Sequence, residues 1–212
     1  MKTFKEFLDY DPEVKNLLKA LNEMAPPMHL PGTLETESRL MTVSDESLTN
    51  RFILLDSAYD KDESIRFYIR KTLGEAIVVV KNSGNLPNKI ICSLHFKDKS
   101  PIEKTLQVDL VTTDKNYRSF GVATVLYLTL AKSGYNIVSD YQQYNDAIKL
   151  WKSITDNKGN LKVKVFDAKT KEYLKDDSGK DLEYSPKDIP DHDIWSTKPD
   201  RSKIMVLLVL SK

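Results

Sequence analysis

Apolar residues near the start of the chain recur at helical spacing. Phe4, Phe7 and Leu8 share one face, and Val14, Leu17, Leu18 and Leu21 repeat the pattern. Asp11-Pro12 marks a break and a fresh start, with Asp11 as N-cap and Pro12 at the first helical position. Ala25-Pro26-Pro27 ends the pattern, and residues 26–50 show no clear period. Residues 1–50 therefore read as a helical extension and connecting arm, ahead of a domain over residues 51–212. Near Ser64 the period becomes two. Ile65–Arg70 alternates like a half-buried strand, Glu75–Val80 is a β-branched run, and Asn82-Ser83-Gly84-Asn85 with Pro87 is turn chemistry. Lys89–Phe96 and Leu106–Thr112 follow as strands, and short connections between neighbouring strands imply an antiparallel meander.

The pattern then turns helical. Val122, Val125, Leu126, Leu128, Thr129 and Leu130 suit a buried helix over Gly121–Ser133, with Gly134 placed to stop it. Tyr135–Val138 is a short apolar strand, and Asn145–Ile154 a second helix carrying Ala147, Ile148, Leu150, Trp151 and Ile154. Strand, glycine-bearing turn, helix and strand in that order make a βαβ crossover. Lys162–Asp167 and Ile204–Leu210 close the list of strands. The polar run Lys169–Lys203 between them reads as a long insertion, either a lid or a solvated loop. The fold class expected is α/β, a mixed and mainly antiparallel sheet flanked by helices.

Composition narrows the function classes. With 212 residues, 40% hydrophobic and 30% charged, the chain has the balance of a soluble globular protein. A net charge of +1 argues against a strongly basic nucleic-acid surface, so no nucleic-acid partner is expected. The absence of a long apolar run argues against a membrane one. The opening MKTFKEFL has no apolar leader pattern, and the single Cys92 cannot form an internal disulfide, so a reducing, cytoplasmic setting is expected. No Cys/His spacing suggests a metal site. His29, His95 and His192 are far apart and read as structural or surface residues.

Candidate chemistry concentrates where the period changes. The strand ends at Val111-Thr112-Thr113, and Tyr117-Arg118-Ser119-Phe120-Gly121-Val122-Ala123 leads into the helix. A helix N-terminus offers unbonded N–H groups and the positive end of the dipole. Gly121 and Ala123 would let a phosphate approach the backbone, and Arg118 adds a cation. This run resembles the motif of the GNAT superfamily of N-acetyltransferases: Arg or Gln, two residues, Gly, one residue, then Gly or Ala. The resemblance spans roughly residues 64–167 plus the last strand. It implies a GNAT-like fold with acetyl-CoA as co-substrate. Val111, Thr112 and Thr113 would then lie along the pantetheine, and Arg118, Ser119, Phe120, Gly121, Val122 and Ala123 would hold the pyrophosphate. The family's second signature is met by Asn145, Ala147 and Ile148, which would add Asn145 to the cofactor-binding residues, but Trp151 stands where a Tyr is usual. An indole is a donor only and no practical acid, so Trp151 reads as packing, and Tyr144 or Tyr141 becomes the candidate acid. Asp109, between Val108 and Leu110, is the candidate base, with Glu103 near it.

Two functions follow from the resemblance. One is transfer of an acetyl group from acetyl-CoA to an amine, on a small molecule or a protein, by direct attack. The other is a binding or structural module that keeps the fold without turnover. The stretches Val138-Ser139-Asp140 to Leu150-Trp151-Lys152 and MKTFKEFL also resemble acetyltransferase-like proteins encoded by tailed phages, which would place the chain in a host cytoplasm or a virion. Residues 1–50 would then be available to dock on a protein partner.

Overall fold

The computed structural model describes residues 42–57, 65–82, 86–118, 120–141, 145–195 and 206–212. The expected helices in residues 3–24 lie outside them. The chain is α/β, with mixed, mainly antiparallel strand pairing and few helices. Its contacts group into two compact units, one of Met1–His95 and Leu110–Leu126, the other of Phe96–Asp109 and Tyr127–Lys212.

In the first unit, strand β1 (Thr42–Val43) leads into helix α1 (Asp45–Arg51). Strands β2 (Phe52–Ser57), β3 (Ile65–Arg70), β4 (Glu75–Val80) and β5 (Asn88–Phe96) follow. They pair antiparallel in chain order, and β1 lies antiparallel on β5. Thr42–Asn50, part of the expected arm, is thus built into this unit. Ser44 caps α1 by accepting from the Ser47 amide at 3.1 Å. Asp45 and Glu46 sit in its first turn and Arg51 in its last, each sign suiting its end of the dipole. At the far end the Lys71 ammonium donates to the Thr49 and Asn50 carbonyls. Leu48 then packs with Phe52, Tyr68, Ile77, Val79 and Ile90 in one buried cluster.

In the second unit the strands are the first half of β6 (Thr105–Thr113), then β7 (Asn136–Val138), β8 (Lys162–Asp167), β9 (Glu172–Tyr173) and β10 (Val206–Ser211). They pair in the order β6-β7-β10-β8-β9, and β6 with β7 is the parallel pair. The connection between those two is helix α2 (Val122–Lys132). Its end is a glycine stop: Gly134, at φ 96°, sends its N–H to the Ala131 carbonyl, and Tyr135 reaches the Leu130 carbonyl at 3.1 Å. Helix α3 (Asn145–Asp156) follows β7. In the β10 sequence, Leu207 to Leu210 are all buried, as expected of a strand covered on both faces.

The insertion read over 169–203, as a lid or a solvated loop, is described as far as Trp195. Glu172–Tyr184 folds back on β8. Leu174 donates to the Val165 carbonyl, Val165 to Leu182, and Tyr184 to Val163 at 2.7 Å. A turn at Asp176–Gly179 closes the hairpin, with the Asp176 carboxylate accepting from the Ser178 and Lys180 amides. The Lys164 and Lys175 ammonium groups hydrogen-bond Asp181 and hold its carboxyl down at about 2. Short helix α4 (Asp191–Ile194) buries Ile194, and the Trp195 ring meets the buried Tyr184 edge-on at 5.5 Å. Backbone pairing and aromatic burial, both invisible to a polarity profile, make this segment part of the fold.

Candidate functional site

The parallel pairing of β6 with β7 covers only Thr105, Leu106 and Gln107, opposite Asn136, Ile137 and Val138. It stops for a local reason. The next amide, that of Ser139, goes to the Leu208 carbonyl at 2.9 Å, and the Ser139 hydroxyl accepts from the Leu208 amide at 3.0 Å. Ser139 thus ties the chain to β10, while its carbonyl accepts from the Gln107 side-chain amide of β6 at 3.4 Å.

The remainder of β6, Leu110 to Thr113, belongs to the first unit. On its β5 side the Asp114 amide donates to Ile91 at 2.9 Å, and Cys92 Sγ lies 3.5 Å from Thr113 Oγ1. Leu110 is 38% exposed and Val111, Thr112 and Thr113 are half-buried. After the strand, Asp114 caps a single 3₁₀ turn (Lys115–Tyr117) by accepting from the Asn116 amide at 2.9 Å. Asp114 also pairs with Lys89 at 2.6 Å, and that ammonium lies 5.3 Å from the centre of the Tyr117 ring. Tyr117 is buried, and its hydroxyl is pushed up by burial and then by the Asp114 charge. These contacts fix the turn, and Arg118 leaves it exposed, its Nε donating to the Thr113 carbonyl at 3.1 Å.

Gly121 has φ 71°, a left-handed conformation that a side chain disfavours, and its carbonyl accepts the Val125 amide at 3.0 Å. Helix α2 starts at the next residue. Val122 is buried, while Phe120 and Ala123 are half-buried. Val122 and Ala123 thus stand at the N-terminus of α2 directly after Gly121, where a helix offers no intrahelical acceptor to its leading amides. Val111, Thr112, Thr113, Arg118, Phe120, Gly121, Val122 and Ala123 all lie within the first unit, on one strand-turn-helix passage. Ser119 is outside the described residues.

The expected catalytic residues fare differently. Asp109 is an exposed strand residue of the second unit. The alternation used to orient it does not hold. Gln107 and Val108 are both buried, and Asp109 and Leu110 are both exposed. Glu103 is exposed on the turn before β6. Tyr141 is half-buried against Val138, Phe166, Leu207 and Val209, with Lys97 Nζ 5.6 Å from its ring centre and salt-bridged to Asp140 at 2.6 Å. Tyr144 lies outside the described residues. Asn145 is exposed at the start of α3. Trp151, further along α3, is 2% exposed and meets the Tyr127 ring edge-on at 5.6 Å, a core packing position. Cys92 is fully buried, and burial pushes its thiol up to about 12 despite the Thr113 hydrogen bond, so it is no nucleophile.

The sequence reading missed one polar group. Glu75 on β4 stands directly across from His95 on β5. Ser93, fully buried, donates to Glu75 Oε1 at 3.2 Å and lies 2.9 Å from His95 Nε2. Arg70 Nη2 is 3.6 Å from the other Glu75 oxygen. The Ser-x-His spacing at Ser93 and His95 was the one signal available, since their partner depends on the β4–β5 register. Among the described residues, no cluster of His, Cys, Asp and Glu is placed to hold a metal ion, and no helix is long and apolar enough to cross a membrane.

Compared with models of known families, with curated proteins and with solved structures, the chain gave no significant match.

Proposed function

We propose that this chain is a GNAT-type acyltransferase that binds acetyl-CoA and passes its acetyl group to an amine. The observation that carries the reading is the passage from Leu110 to Ala123. A half-exposed strand end runs into an anchored turn, an exposed arginine, a left-handed glycine and a helix N-terminus. An extended amide-bearing arm can hydrogen-bond along such a strand end. A pyrophosphate fits the amides beside Gly121, where dipole and guanidinium both favour anions. In the reaction a neutral amine attacks the thioester carbonyl, the C–S bond breaks and thiolate leaves. Positioning of the two reactants supplies much of the rate.

A second reading is favoured by one residue. Trp151 occupies the position where the resemblance implies an acid, and it is packed into the core. A module that binds CoA without turning it over accounts for that. Calorimetric titration with acetyl-CoA, followed by thiol release against a panel of amines, tests both readings. Binding with release supports the enzyme, binding without release supports the module, and absence of binding rejects both.

A further inference from the structure

The cluster of Glu75, Ser93 and His95 fixes more than its own geometry, because hydrogen bonds have direction. A serine hydroxyl carries one proton. Ser93 gives it to Glu75 Oε1, a carboxylate that only accepts and whose other oxygen faces the Arg70 guanidinium. The 2.9 Å contact between Ser93 Oγ and His95 Nε2 must then be made by a proton on Nε2. A neutral imidazole protonated at Nε2 has its lone pair on Nδ1. The chain of bonds therefore presents Nδ1 as the basic atom. Glu75, 3.7 Å from Nε2, stands ready to balance the charge that appears when Nδ1 gains a proton. Ser93 is wholly buried while the His95 side chain is 30% exposed, so the anchor is shielded and the base is reachable.

Its place on the sheet gives this base a task. On β5, Cys92 lies beside Thr113 and Ile91 bonds Asp114. The two strands run antiparallel, so a step from Cys92 towards His95 is a step from Thr113 towards Leu110. Three residues span about 10 Å, which brings His95 level with the Leu110 end of the strand edge. We propose that His95 accepts the proton of the attacking amine at Nδ1, with Ser93 and Glu75 as positioning residues. This rests on the acyltransferase reading, with the acyl carbon towards the Leu110 end. As the amine nitrogen bonds the carbonyl carbon, its surplus proton passes to Nδ1. The C–S bond breaks, the thiolate takes a proton from water, and the imidazolium returns its own to solvent.

Two measurements test the proposal separately. Nitrogen NMR of histidine-labelled full chain, with His95→Gln to assign the signals, is expected to show Nδ1 bare and Nε2 protonated. In Ser93→Ala that preference should relax to a mixture of tautomers. A proton on Nδ1 in the wild-type chain overturns the proposal. In thiol-release assays, His95→Gln is expected to lower kcat by about 10²-fold or more, the usual scale for a lost general base, with acetyl-CoA affinity unchanged and partial rescue by added imidazole. Wild-type kcat in that variant overturns His95 as base and leaves the acyltransferase reading standing. Absence of acetyl-CoA binding by the wild-type chain overturns that reading and with it the catalytic part of the proposal, while the NMR result still decides the tautomer.

Discussion

Single residues divide sharply here between those whose neighbours were implied by the sequence and those whose neighbours were not. Arg118 is of the first kind. Its order in the turn was legible, and the structure leaves the residue exposed with Nε on the Thr113 carbonyl. Arg118→Ala is expected to weaken CoA binding by roughly 1–3 kcal/mol, the scale of a lost charge-assisted hydrogen bond, with the loss shrinking as salt is raised. Titration calorimetry at two ionic strengths reads this directly. Cys92 is of the second kind, because only the fold shows how deeply its strand is buried. The raised thiol should resist alkylation in the native chain and react on denaturation. The sign for stability follows from the unfolded thiol, which ionises near 8.5. Below that pH both states are protonated. Above it the unfolded state loses its proton and the folded state keeps it, so stability falls as pH rises towards 12. Alkaline unfolding of Cys92→Ala should be correspondingly shallower, and equal slopes would contradict the burial.

Elements with a strong period were read well, and those without one were not. Strands β3, β4 and β8 and helices α2 and α3 match their apolar patterns closely. Strand β2 was missed although Phe52-Ile53-Leu54-Leu55 is apolar. At the end of the strand order, it exposes Ile53 and Leu54 at 45% and 49%, so its pattern alternates poorly. The hairpin after β8 was missed because main-chain bonds and two isolated tyrosines, Tyr173 and Tyr184, hold it and no apolar period does. Two substitutions test the helices. Gly121→Val must place a β-branched side chain at φ 71°, so the entry to α2 should distort and CoA binding should be lost. Gly121→Asn, which tolerates that conformation, should keep the circular dichroism of the wild type and still bind more weakly, because its side chain crowds the phosphate approach. Trp151→Ala should destabilise the chain by about 3–5 kcal/mol, the range for emptying a large aromatic site. Urea unfolding measures it, and a loss below about 1 kcal/mol would make Trp151 something other than core.

At the scale of the whole molecule, the α/β class and the sequence of elements from Arg118 to β8 were readable, because each depends on neighbours close in the chain. The register that joins Glu75 to His95 was not, and neither was the place of β10. Both arise from contacts between residues distant in sequence, for which a single chain carries no local signal. The division into two compact units was equally illegible, since its boundaries fall inside β5, β6 and α2 and not in a linker.

The position of β10 between β7 and β8 has a consequence for biosynthesis. A ribosome delivers β7 and β8 well before the strand that must lie between them. Until Val206–Ser211 emerges, each of those strands keeps a bare edge of amides and carbonyls facing the gap, the kind of edge that recruits strands from other chains. The nascent second unit therefore waits, incomplete, for its last strand. Chains ended before Val206 are expected to collect in the insoluble fraction and to bind chaperones, while full-length chains stay in solution. Soluble, cooperatively unfolding protein from such a truncation would show that β7 and β8 can close on each other without it.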